Sequence, residues 1–276
     1  MEGAVNEVKQ MSSYKPVIAA LRVLDVLAAV NRVAGGATVA DIHRQTLLDK
    51  ATIVRMLTTL IHAGYVVREE AAVYRVTGKT LQLSSGYDRH SAISTIVSQD
   101  LREFRQAIGW PSDVAILDQD AMIVVDTSRH AEPMQFRRVA GFRAPVLLTS
   151  IGLAYLANCP ESERQAFLSK AEQNPDPSFD LARRPEELQK LLQRVREQGF
   201  ATMTEGYSEH AYAAQFFSIG VPIMTKRHVF GSINIIYLRS ALTHEEACVS
   251  LLEPLKDVAA KMACKLSART SSHVGH

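Results

Sequence analysis

The chain has 276 residues, is 47% hydrophobic and 22% charged, and carries a formal net charge of +2 at neutral pH. At about 100–200 residues per domain, that length suggests two domains with packed cores. No apolar run approaches the ~18 residues of a membrane span, and the opening MEGAVNEVKQMSS lacks a signal-peptide core, so a cytoplasmic protein with no membrane partner is expected.

Residues 1–13 show no periodicity and are expected to be a disordered arm. Pro16 opens a first helix in which Val17, Leu21, Leu24 and Ala28 recur at helical spacing, and Gly35 and Gly36 stop it. Thr38 and Asp41 form a capping-box pattern that starts a short helix through about Thr46. Leu47 and Leu48 make an apolar turn. Asp49 then caps DKATIVRMLTTLIH, a helix closed by Gly64. Its large apolar residues Ile53, Leu57, Leu60 and Ile61 fall on one face, and Lys50, Ala51, Val54, Arg55 and Thr58 on the opposite one. Tyr65–Arg68 and Val73–Thr77, separated by Glu69-Glu70-Ala71-Ala72, read as a β-hairpin. Helix, helix, turn, helix, hairpin is the order of a winged helix-turn-helix, placed at residues 14–77, with 78–91 as a linker.

The remainder, residues 92–268, reads as an α+β domain whose sheet is built of hairpins. An amphipathic helix over Ile93–Ile108 is closed by Gly109. Strands follow at Asp113–Leu117, Met122–Asp126 and Met134–Val139, with a turn at Asp118–Ala121. Helices are predicted at Thr149–Asn158, Glu161–Glu172 and Pro185–Gln198, and strands at Phe216–Met224 and Val229–Leu238. Thr243 caps a last helix ending near Ala268, and residues 269–276 are expected to be a disordered tail. Trp110 reads as a core or interface residue.

The outward face of the Asp49–His62 helix suits the major groove of double-stranded DNA. Arg55 can hold guanine O6 and N7 in two parallel hydrogen bonds or clamp a phosphate, with Lys50 beside it. Thr52, near the helix start, suits a phosphate oxygen alongside free backbone N–H groups. Arg44 on the preceding helix and Arg68 and Arg75 on the wing are backbone-contact candidates. The expected DNA site is thus Thr38, Arg44, Asp49, Lys50, Ala51, Thr52, Val54, Arg55, Thr58, Arg68 and Arg75. From Tyr14 to His90 ten Lys and Arg face six acids, a mild basic excess of +4 over a remainder of −2. The wing tip, Glu69-Glu70, repels phosphate.

The segment GGATVADIHRQTLLDKATIVRMLTTLIHAGYVVR, followed by YRVTGKTLQL, resembles the winged helix-turn-helix of the IclR family of bacterial transcriptional regulators. PVLLTSIGLAYLA, SIGVPIM and VFGSINIIYL resemble that family's effector-binding domain, a GAF/PAS-like α+β fold joined to the first domain by a linker helix. The resemblance runs from about Tyr14 to Leu266. WPSDVAILDQDAMIVVDTSRH and LTSIGLAYLANCPESER look most like the subgroup that activates aromatic-acid (3-hydroxyphenylpropionate) catabolism. Family members often carry Ser at the Ala51 position and His or Tyr at Val54; Val54 offers only apolar contact, best met by a thymine methyl.

The resemblance implies a small-molecule pocket at Leu147, Thr149, Ser150, Gly152, Ser218, Asn234 and Ile236. Others in the family often have Cys at the Ser218 position and Ser at the Asn234 and Ile236 positions, which points to a larger, less polar pocket suited to an aryl ring. Asn234 is either a ligand contact or a hydrogen-bonded core residue; Arg137, Arg138 and Arg143 are carboxylate partners or solvated surface. The implied function is a nucleoid-associated, operator-binding activator of a catabolic operon. It responds to an aromatic carboxylic acid, and its partners are DNA, further copies of itself as a dimer or dimer of dimers, and RNA polymerase. Leu21, Leu24 and Ala28 serve either that pairing or the domain core. The alternative is a repressor answering to a small aliphatic keto acid. An enzyme is disfavoured, because the chain carries no GxSxG, HExxH, GxGxxG or P-loop. Cys159, Cys248 and Cys264 are widely spaced, so neither disulfide, metal nor cofactor is expected.

Overall fold

Apolar residues at helical and strand spacing gather here into two units, 1–87 and 88–276. The computed structural model describes residues 15–33, 35–84, 88–128 and 139–273. In the first unit, α1 (Ile18–Arg32), α2 (Val39–Thr46) and α3 (Lys50–His62) precede the strands β1 (Val66–Arg68) and β2 (Tyr74–Val76). Thr38 caps α2 in a full capping box with Asp41, which satisfies N–H groups the helix leaves free. Leu47, in the left-handed region at φ 56°, turns the chain between α2 and α3. His43 Nδ1 donates to the Leu48 carbonyl (2.7 Å) and holds that turn.

The core joins Val26, Leu27 and Val30 of α1 to Ile42 of α2, Ile53, Leu57 and Leu60 of α3, and Val66 and Tyr74 of the hairpin. One predicted face needs correction, and one open reading narrows. Ile61, expected inside, is 38% exposed. On α1 Val23 is half-buried against the core and full burial begins at Val26, while Leu21 and Leu24 are 47% and 59% exposed, so of the two roles open to them these leucines do not fill the domain core. The helix carries two apolar stripes, and the one at Val17, Leu21, Leu24 and Ala28 points outward.

The second unit begins with α4 (Asp88–Ile108), which starts ahead of the predicted Ile93 and takes up the end of the expected linker; the rest of the linker holds a 3-10 turn at Gly78–Ser84. The strands β3 (Asp113–Asp118), β4 (Ala121–Thr127), β5 (Arg143–Pro145), β6 (Ala201–Thr202), β7 (Phe216–Met224) and β8 (Val229–Leu238) form one antiparallel sheet in the order β5-β4-β3-β8-β7-β6. The predicted strand at Met134–Val139 lies, but for Val139, outside the described residues, as does the arm at 1–13. The helices are α5 (Ser150–Asn158), α6 (Glu161–Ala171), α7 (Pro185–Gln198), α8 (Glu205–Tyr212) and α9 (His244–His273). The last runs past the predicted end at Ala268 and takes up residues 269–273 of the expected tail.

Strand alternation divides the core into two layers. Val114 and Ile116 join Val97 and Leu101 of α4 and Leu255 and Met262 of α9; Ala115 and Leu117 join Ile151 and Leu156 of α5, Phe167 of α6 and Leu188 of α7. Trp110 packs at the edge of the first layer. Asp100, its side chain fully buried, binds Lys261 (2.7 Å) and Lys265 (2.8 Å) and ties α4 to α9. Among the described residues no helix is long and apolar enough to cross a membrane.

Candidate functional site

On α3 the residues Lys50, Ala51, Val54, Arg55 and Thr58 are exposed, Val54 at 45%. The polar groups around them are largely committed to the domain itself. Asp49 accepts the Thr52 backbone N–H (2.8 Å) and the Thr52 hydroxyl (2.7 Å). Those hydrogen bonds hold the Asp49 carboxyl below the usual carboxylate range, so it is charged at neutral pH. Thr52, expected to meet a phosphate oxygen, gives its proton to Asp49 in this structure, and the start of α3 already holds an anion of its own. Thr58 donates to the Val54 carbonyl (2.9 Å). Thr38 donates to Asp41 (2.6 Å), and Arg44 pairs with the same carboxylate.

On the wing, Arg75 binds Glu69 through Nε (2.8 Å) and NH2 (2.9 Å). Arg44 and Arg75 are thus neutralised cations, not free ones. Among the described residues no hydrogen bond or ion pair engages the charged ends of Lys50, Arg55 or Arg68. The exposed surface of this unit offers these cations, with the methyl groups of Ala51 and Val54 between those of α3. Such a face can clamp phosphates and hold one guanine edge, and it reads other bases by apolar contact.

In the second unit the residues implied as an effector pocket come together, but as a packed contact. Thr149 caps α5, accepting the Gly152 N–H (3.2 Å) and donating to the Pro145 carbonyl (2.7 Å). The Ser150 and Ser218 hydroxyls share a hydrogen bond of 2.7 Å, and Ser232 donates to the Ile151 carbonyl (2.6 Å). A Cβ at Gly152 would lie 2.1 Å from the Val146 carbonyl oxygen, and one at Gly220 2.8 Å from that of Ser150. Helix α5 therefore rests its backbone directly on β7. Leu147 and Ile236 are buried, and the side-chain Oδ1 of Asn234 accepts the Asp113 N–H (2.8 Å), as a hydrogen-bonded core residue does. Arg143 pairs with Asp120 at the surface; Arg137 and Arg138 lie outside the described residues.

Open space lies elsewhere in this unit, in a cleft of about 630 Å³ at the β6 edge of the sheet. Leu153, Leu191, Met203, Phe217 and Leu242 form its apolar wall, and Thr202, Thr204, Glu205, Tyr237, Arg239, Thr243 and His244 its polar rim. Arg239 binds Glu205 (2.5 and 3.3 Å) with its guanidinium carbon 5.0 Å from the centre of the Phe217 ring. The Tyr237 hydroxyl lies 3.2 Å from His244 Nδ1. Sequence reasoning passed over these residues; the one local signal was an arginine directly after a strand, ahead of a helix cap at Thr243. Among the described residues, no group of three His, Cys, Asp or Glu is placed to hold a metal ion.

Residues 19–70 match the IclR helix-turn-helix domain, and residues 86–264 match the bacterial transcriptional regulator IclR C-terminal domain. The chain is 25% identical over 200 residues to the Pca regulon regulatory protein of Pseudomonas putida, covering 72% of this chain and 66%, just under two thirds, of that protein. It is 23% identical over 202 residues to the HTH-type transcriptional regulator KdgR of Escherichia coli K12, covering 73% and 75%. Its fold is similar to the crystal structure of an IclR homologue complexed with 4-hydroxybenzoate from Microbacterium hydrocarbonoxydans, at a TM-score of 0.62 and 21% identity over 91% of this chain and 99% of that one. With a reading helix and wing in one unit and an antiparallel α+β sheet domain in the other, the chain belongs to the IclR family of bacterial DNA-binding transcriptional regulators.

Proposed function

We propose that this protein binds a promoter operator through α3 and activates a catabolic operon in response to an aromatic carboxylic acid. The observation that carries the DNA reading is the set of exposed cations with no partner among the described residues, Lys50 and Arg55 on α3 and Arg68 on the wing, beside Ala51 and Val54. The effector reading draws on the similarity to the Pca regulon protein and to the homologue that holds 4-hydroxybenzoate. Self-pairing on a two-fold operator draws on the outward stripe of α1. RNA polymerase is the partner that activation requires.

A mobility-shift titration against the DNA upstream of neighbouring operons tests the reading. Sequence-selective, salt-dependent binding is expected, altered by benzoate, 4-hydroxybenzoate or 3-phenylpropionate. Equal affinity for all sequences would overturn the operator reading. Transcription in vitro that falls rather than rises with the acid would make the protein a repressor.

A further inference from the structure

The chain leaves the wing by folding back onto the end of α3. Thr77, directly after β2, donates its backbone N–H to the Tyr65 carbonyl (2.9 Å) and its hydroxyl to the Gly64 carbonyl (2.6 Å). Lys79 Nζ donates to the Ala63 carbonyl (2.8 Å) and lies 4.8 Å from the centre of the Tyr65 ring. The carbonyls of Ala63, Gly64 and Tyr65, where α3 gives way to β1, are thus bound by two residues at the exit of the wing. We propose that Thr77 and Lys79 are positioning residues for DNA recognition, which fix α3, the wing and the start of the linker as one body and so pass the state of α3 along the chain to α4. This rests on the reading of α3 as the element that meets DNA.

A helix leaves the carbonyls of its last turn without partners of its own, and a cation at that end also meets the negative end of the helix dipole. Lys79 supplies both a donor and a charge there. A Cβ at Gly64 would stand 3.8 Å from Lys79 Cδ, so the lysine stem packs along the turn that ends α3. The Thr77 hydroxyl also accepts the Lys79 N–H (3.2 Å), which sets the 3-10 turn Gly78–Ser84 on the same anchor.

The consequence for DNA is geometric. Lys50 and Arg55 stand on α3 and Arg68 on β1, and cations on two elements meet one duplex in register only if those elements keep a fixed angle. Gly64, at φ 77°, is the residue between them with the most backbone freedom. Thr77 and Lys79 hold the chain on either side of it. Beyond Ser84, residues 85–87 lead to α4 in the second unit, so a pull on the linker acts on the last turn of α3. By reciprocity, seating α3 on DNA must act on α4.

The test uses the full-length protein and a DNA fragment that it selects from a random-sequence pool. Lys79→Met keeps the stem and loses the donor, and Thr77→Val keeps the shape and loses the hydroxyl. Each should lower the ratio of affinity for the selected fragment to affinity for scrambled DNA by about five- to tenfold, with the log K against log salt slope unchanged. Loss of folded protein would weaken both affinities alike and leave that ratio in place. Lys79→Arg keeps a donor and a charge and should restore most of the ratio; with Thr77→Val it carries the test if Lys79→Met does not fold. Saturation with the selected fragment should alter amide hydrogen exchange in α4 of the wild type, and alter it less in Lys79→Met. A slope lower by about one with the ratio unchanged would make Lys79 a phosphate contact and overturn the proposal. An α4 that responds equally in both proteins, or in neither, would overturn it too. If the wild type selects no fragment, the DNA reading falls first and this inference with it.

Discussion

Arg75 and Glu69 face each other across the mouth of the wing in a two-point ion pair, at 2.8 and 2.9 Å. Arg75 lowers the pKa of the Glu69 carboxyl, so both are charged at neutral pH and the wing presents little net charge there. Removing the acid should release the cation to the phosphates. Glu69→Gln is therefore expected to strengthen DNA binding across all sequences and to steepen the log K against log salt slope by about one. An unchanged slope in a salt titration of fluorescence-labelled DNA would show that the wing stays clear of the backbone.

Arg55 has the opposite standing, with no partner of its own among the described residues. Its replacement by Ala should cost about 1–3 kcal/mol of operator binding and relax preference at one base pair. Thr58→Val should leave affinity nearly unchanged, because the Thr58 proton already goes to the Val54 carbonyl. Competition mobility shifts on a set of single-base operator variants distinguish the two. Equal losses from both substitutions would mean the reading face is misassigned.

The period of Ile53, Leu57 and Leu60 and the Asp49 cap made α3 legible before any coordinates, as did the hairpin strands β7 and β8 with their long apolar runs. The internal pairings were not legible. Glu69 reaches Arg75 only because the hairpin folds them together, and the Thr52 hydroxyl meets Asp49 only once the first turn of α3 has formed. Three elements were missed for want of pattern: β5 has three residues and β6 two, and α8 buries only Ser208 and Tyr212. The cleft draws on Leu153, Leu191, Phe217 and His244, which are brought together by tertiary packing alone. Positions carried over from the family fall on α5, β7 and β8 and just before α5, yet spacing does not reveal how closely α5 settles on β7.

Helix α5 also lies close over the backbone at Val146, and that approach can be tested at Gly152. Gly152→Ala places a Cβ 2.1 Å from a backbone oxygen that cannot swing aside. Overpacking of this kind should destabilise the protein by about 1–3 kcal/mol or more. Gly206, also helical, has nothing within 4 Å of its Cβ position, and Gly206→Ala should instead gain about 0.5–1 kcal/mol. Urea midpoints at constant m-value give both signs. A Gly152→Ala protein as stable as wild type would mean that α5 stands off the Val146 backbone.

Asp100 gives the fold an acid-sensitive clamp. Burial by itself raises its pKa, but hydrogen bonds from Lys261 and Lys265 outweigh that and hold it below the ordinary value of 3.8. A depressed carboxyl contributes stability above its unfolded pKa, and that contribution fades as pH falls from about 3.8 through the lower folded value. Asp100→Asn should therefore cost about 1–3 kcal/mol at neutral pH, reduced because both lysine ends reach solvent, and should flatten the acid limb of the stability curve. Melting curves from pH 7 to 2 check this; wild type and variant losing stability in parallel would place the acid sensitivity elsewhere.

The outward stripe of α1 offers a test of the proposed self-pairing. Leu21 and Leu24 lie with Val17 and Ala28 on the side of α1 turned away from the core of their own unit. Exposed leucines singly are ordinary, but a stripe at helical spacing is the surface that two helices bury against each other. A pair of readers joined this way meets a two-fold operator with both copies of α3, and the second contact then forms at high effective concentration. Leu21→Asp combined with Leu24→Asp should leave the unit folded, since neither side chain is in its core. The same change should shift sedimentation toward smaller species and weaken binding to a full operator at least about tenfold, with half-site binding little changed. Sedimentation velocity and mobility shifts on full and half sites read these separately. If mass and full-site affinity both stay at wild-type values, pairing runs through another surface.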